Sequence, residues 1–166
     1  MSCKACLMST NDGGGWFRRL FSRSKTVPLD PTRDDLVVVA SSFDDAESCS
    51  AALDRGTDDG GFVATKEAVL RHHLVLPSDT VSDAAAIAAQ DGYALVEPAA
   101  TITIDDADRR LPVEDGVSVT LQRVQIVDAL HCSQERSRMA GLAQRRGGIV
   151  LGWDALQPGA DATERA

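Results

Sequence analysis

Two β-α-β units follow one another along the chain, one from Val69 to Glu97 and one from Val117 to Leu156. That repetition, an aliphatic composition and turn signals at the ends of both helices predict an α+β domain. Two such split units folded side by side give a four-stranded antiparallel sheet with two helices on one face, a ferredoxin-like two-layer sandwich. The other face is then left for a partner unless an N-terminal helix covers it. At 166 residues the chain fits one domain plus tails, enough to bury a core without disulfides. Hydrophobic residues make up 43% of the chain and aromatic residues only 4%, so the core must be built from Val, Leu, Ile and Ala.

The elements follow in order. Residues 1–30 read as a flexible basic aromatic tail, with Gly13 to Gly15, then WFRRLFSRSK, then Pro28 and Pro31 as punctuation. The domain is expected over 31–157 and a second flexible tail over 158–166. Leu36 to Val39 form a β-branched run, followed by a short helical stretch through Leu53 on which Ala46, Cys49, Ala52 and Leu53 share one face; DRGTDDGG breaks it. AVLRHHLVLP reads as a strand ending at Pro77. SDTVSDAAAIAAQDG reads as a helix started by Ser78 or Asp79, with Gly92 taking the left-handed turn that ends it. YALVEP is the next strand. Ala99 to Gly116, with its alternating TITID, reads as a loop or small hairpin insertion. VSVTLQRVQIV is a long strand, and a helix from about Cys132 to Arg146 follows, its basic last turn matching the dipole. Gly148 turns the chain into the last strand, IVLGWDAL.

The net charge of −8 is unevenly placed. Residues 1–27 hold five basic side chains against Asp12 alone, a local +4, so the remainder carries −12. An acidic body repels phosphates, which disfavours direct nucleic-acid binding and favours basic partners. Cys3, Cys6, Cys49 and Cys132 are too scattered for a disulfide framework, and no spanning apolar segment is present, which points to a reduced cytoplasmic protein.

RHHLVLPSD, from Arg71, sets two of the three histidines side by side. On a strand, His72 and His73 point to opposite faces and cannot both ligate one metal ion. The expectation is one histidine in the sheet-helix layer and its neighbour exposed. A metal or small-ligand site would have to add His131 or Cys132 to one of them. CKAC, from Cys3, is a lone CxxC without a second pair. No nucleophile elbow, phosphate loop or HExxH pattern occurs, so no catalytic residue, metal or cofactor is assigned. WFRRLFSRSK, as a short helix, sets Trp16, Phe17, Leu20 and Phe21 on one side and Arg18, Arg19 and Arg23 mostly on the other. That is the pattern of an interfacial anchor with weak membrane contact, or of a partner-docking peptide; the other reading is a basic tail whose aromatics dock on its own domain. Tyr93 and Trp153 either anchor a partner or fill a ring-poor core.

Over roughly Leu53 to Trp153 the spacing of short motifs resembles the RraB family of protein inhibitors of ribonuclease E. These are LDRGTD, HHL at His72 to Leu74, DGYALVEP at Asp91 to Pro98, EDG at Glu114 to Gly116, and GW at Gly152 and Trp153. The chain departs from that pattern in its nearly balanced C-terminus and its basic aromatic N-terminus. The resemblance implies a non-enzymatic acidic domain that binds an RNA-degrading enzyme, or its basic scaffold region, and modulates it, and it makes the histidine pair a family feature of its strand. His72, His73, Tyr93 and Trp153 are the candidate contact residues.

Overall fold

The computed structural model describes residues 28–96, 113 and 115–159. Five strands, β1 (Leu36–Ser42), β2 (Glu67–Pro77), β3 (Ala94–Leu95), β4 (Gly116–Ile126) and β5 (Ile149–Pro158), form one sheet in the order β1-β5-β2-β4-β3. Every pairing is antiparallel. Three helices, α1 (Cys49–Asp58), α2 (Val81–Gln90) and α3 (Ala129–Gln144), complete an α+β architecture.

β2 is the centre of the sheet, paired along its whole length with β4 on one side and with β5 on the other. Its sequence explains the position. Ala68, Leu70, Leu74 and Leu76 all point to the helical side and are at most 1% exposed, each leucine contributing on the order of 1.5–3 kcal/mol by leaving water. The core under the helices has two lobes. Ala68, Leu70, Trp153 and Ala155 meet α1 and the start of α3 through Ala52, Leu53 and Cys132. Leu74, Leu76, Val119 and Leu121 meet α2 and the rest of α3 through Ala84, Ala88, Met139 and Leu142.

The expected four-stranded sheet has a fifth strand. β1, legible as a β-branched run, joins the sheet beside β5, with a bulge between Val38 and Ala40. Helix α1 also outlasts its expected end at Leu53, running through Arg55 and Gly56 to Asp58. Gly56 sits inside it because a Cβ there would lie 2.4 Å from the Val39 carbonyl oxygen; the helix can lie this close to β1 only where a side chain is missing. Ser48 caps α1 by accepting from the Ala51 amide, and Asp128 caps α3 by accepting from His131, which starts that helix three residues before Cys132. Gly92 ends α2 at φ 80°, as expected. At the end of α3 it is Gly147, not Gly148, that takes positive φ. β5 continues to Pro158, which pairs with Leu36. The polar insertion between β3 and β4 lies outside the described residues except for Val113, Asp115 and Gly116.

Candidate functional site

The period-2 geometry of β2 separates two environments. His72 pairs across the sheet with Leu121 and Trp153, faces the helices and is 0% exposed. Its ring lies 5.8 Å from that of Tyr93. Neither ring nitrogen finds a hydrogen-bond partner among the described residues, nor does the Trp153 indole nitrogen. Burial, with the neighbouring His73 adding to it, pushes the His72 pKa down to about 3, so the ring is neutral. Tyr93 is buried too, but its hydroxyl donates to Glu135 at 3.0 Å while Arg123 lies over its ring at 4.9 Å. Burial and then the Glu135 charge raise its pKa.

His73 faces the other side, where no described helix packs. The expected exposure does not hold, because His73 is 2% exposed. Phe43, just beyond β1, folds across the sheet and stacks on the ring at 5.6 Å. The fold allows this because residue 152, in β5, is glycine; a Cβ there would lie 2.5 Å from the Phe43 ring. Asp154 holds Arg71 in a two-pronged ion pair at 2.7 and 2.6 Å and also meets His73 Nε2 at 3.1 Å. Burial pushes the Asp154 carboxyl up, but hydrogen bonds from His73 and Arg71 outweigh it and hold the pKa below the ordinary value. An ionised carboxylate only accepts, so Nε2 donates to it, while Nδ1 lies 3.1 Å from the Thr120 hydroxyl, which can either donate or accept.

Hydroxyl, imidazole and carboxylate thus stand in the order of a nucleophile relay. Thr120 is itself only 2% exposed, and both carboxylate oxygens are engaged by Arg71. The arrangement fixes three strands to one another. It presents no hydroxyl to a substrate.

Beside this polar network the same face turns apolar. Val38, Leu156, Val69 and Val124 stand in one cross-strand row over β1, β5, β2 and β4. One step towards the start of β2, Ile126 pairs with Glu67. Val38 is 52% and Ile126 55% exposed, whereas Val69, flanked on both sides, is 1% exposed. Glu67 shares this face and accepts from the Leu29 amide at 2.8 Å, so the N-terminal chain meets the domain at the apolar end of the helix-free surface.

The four candidate contact residues therefore lie inside the fold: His72, Tyr93 and Trp153 under the helices and His73 under Phe43. Trp16, Phe17, Arg18, Arg19, Leu20, Phe21 and Arg23, and the Cys3–Cys6 motif, lie outside the described residues. His131 lies exposed in the first turn of α3, with Nδ1 at 2.6 Å from the capping Asp128, while Cys132 is buried in the core with Cys49; the two side chains do not share an environment. Burial, then contact with Cys49, raises the Cys132 pKa, and both thiols are free. Among the described residues no three His, Cys, Asp or Glu side chains gather in a way that could hold a metal ion, and no helix is long and apolar enough to cross a membrane. Sequence reasoning missed Phe43, Arg71, Thr120 and Asp154, and the Val38 to Ile126 surface. The usable signal was the polar and apolar alternation of RVQIV and RHHLV taken in register. Comparison with protein-family models, curated proteins and solved structures finds no match to this chain.

Proposed function

We propose that the chain is a non-enzymatic regulatory protein that binds an RNA-degrading enzyme of the ribonuclease E type and modulates its activity, using the helix-free face of the sheet. The observation that carries the binding role is the apolar row from Val38 to Val124 with Ile126 beside it, on a sheet face with no described helix against it. The target class rests on the resemblance of the motif order to the RraB family. In this reading β2 to β5, with the order β5-β2-β4-β3, are a ferredoxin-like split β-α-β unit in a cytoplasmic protein, and β1 is an addition that widens the docking surface.

The charge agrees with the target class. A body of −12 outside residues 1–27 steers toward the Arg-rich segments of a ribonuclease scaffold and raises the association rate more than the affinity. The test is a binding and cleavage assay with a purified ribonuclease E-type enzyme, a single-stranded RNA substrate and the full chain. The expected outcome is a saturable complex with altered cleavage, formed more slowly at higher salt and weakened at least about tenfold by Val38→Asp with Ile126→Asp, since desolvated anchor positions dominate interface energetics. Absence of a complex with the enzyme, or one indifferent to both substitutions, overturns the reading.

A further inference from the structure

We propose that residues Trp16 to Phe21 dock in cis on the helix-free face, over the row Val38, Leu156, Val69 and Val124 and against Ile126, and so compete with the partner for it. This inference rests on the reading of that face as the partner-binding surface and adds its regulation.

Three observations place this occupant there. The N-terminal chain is tied down on the face itself, by the Leu29 amide on Glu67 at 2.8 Å, and Glu67 pairs with Ile126 at the edge of the apolar row. The tether has the right length. Phe21 precedes Leu29 by eight residues, a reach of up to about 27 Å, while Val69 is two residues along β2 from Glu67, roughly 7 Å. The row spans four neighbouring strands, about 14 Å across, so every part of it lies within reach.

The chemistry of the segment also fits. Trp16, Phe17, Leu20 and Phe21 supply the large apolar side chains that the domain's own interior largely lacks, and their spacing puts them on one side of a short helix. Arg18 and Arg19 then face away from the apolar side, and the basic segment as a whole is attracted to a body of net charge −12. An isolated segment of this length is marginal as a helix in water. Tethering changes that balance, because a short flexible linker holds its end at an effective concentration in the millimolar range. Docking is then weak enough to be displaced by a partner that offers a larger interface, as a regulatory contact must be.

The test uses the two tryptophans, Trp16 and Trp153, in the full chain. Trp153 is 1% exposed, so any change in acrylamide quenching reports Trp16. In the unsubstituted chain Trp16 should be protected independently of protein concentration. Val38→Asp with Ile126→Asp should restore quenching to the level of a free peptide while far-UV circular dichroism stays unchanged. In a second variant, Trp16→Ser with Phe17→Ser, amide hydrogen exchange at Val38, Val124 and Ile126 should rise, and binding to the ribonuclease should tighten by about tenfold, as expected when a competing intramolecular state is removed. Full quenching of Trp16 in the unsubstituted chain overturns the proposal. So does protection that appears only on dimerisation or on addition of anionic vesicles. The quenching and exchange experiments need no ribonuclease, so protected Trp16 beside absent ribonuclease binding would refute the target while keeping the cis contact.

Discussion

His72 and His73 are adjacent in the chain and equally buried, yet the two faces of β2 treat them in opposite ways. His73 is held on both ring nitrogens, by Thr120 and Asp154, and covered by Phe43. His72 sits among apolar side chains with neither nitrogen partnered among the described residues. Burial alone therefore says little about what a polar side chain contributes. The number of its hydrogen bonds decides whether removing it harms the fold.

The contrast is open to direct attack. Asp154→Ala should have the largest effect, about 3–5 kcal/mol of unfolding free energy in urea titration, because it strands the Arg71 guanidinium and leaves His73 half-bonded; a loss below about 1 kcal/mol would mean that the network is ornamental. His73→Ala should lose about 1–3 kcal/mol at neutral pH.

His72→Phe should leave stability at pH 7 unchanged or raised, since it replaces two unbonded nitrogens with carbon. Its signature is in acid. The folded pKa of His72 lies near 3 and its ordinary value is 6.5, so only the unfolded chain takes up a proton as the pH falls through this window. The stability that the neutral ring contributes is complete above 6.5 and declines below it, by at most about 1.4 kcal/mol per pH unit. Asp154, whose folded pKa is lowered from 3.8, adds its own loss only as the pH falls below that value. Melting curves between pH 6.5 and 4.5 should therefore slope less in His72→Phe than in the unsubstituted protein, and parallel slopes would contradict the burial of His72. Among the changes that destabilise at neutral pH, Phe43→Ala, which removes a half-exposed lid, should cost least, about 0.5–1.5 kcal/mol. A rise in His73 solvent access by NMR should accompany it.

The opposite facing of the two histidines was legible from strand periodicity alone, and so were β2, α2, β4 and α3 to within a few residues. The burial of His73 was not. Its cover comes from Phe43, and its partners from Thr120 and Asp154 on two other strands, so the information sits in the register of the sheet and not in any local window. β1 illustrates the same limit. Val37, Val38 and Val39 announce a strand, but nothing near them says that the strand pairs with β5. Gly56 misled in the other direction, being read as part of a helix break when it is the place where a helix leans on β1. The candidate surface was anticipated only as an unclaimed sheet face; which residues make it apolar depended on pairing Val38 with Leu156 and Val69 with Val124.

The pairing of β1 with β5 joins Leu36 to Pro158 and Ser42 to Trp153, the first described strand to the last. During synthesis, β1 and one long edge of β2 leave the ribosome with their hydrogen-bonding groups unmatched, and the strand that matches both is the last of the five to be made. Such distant pairings close large loops before they return any stability, which slows folding and exposes strand edges meanwhile. A nascent chain of this design completes its sheet only after release of the β5 segment from the exit tunnel, and a chain stopped at Gly147 would leave the edges of both β1 and β2 open to other nascent chains.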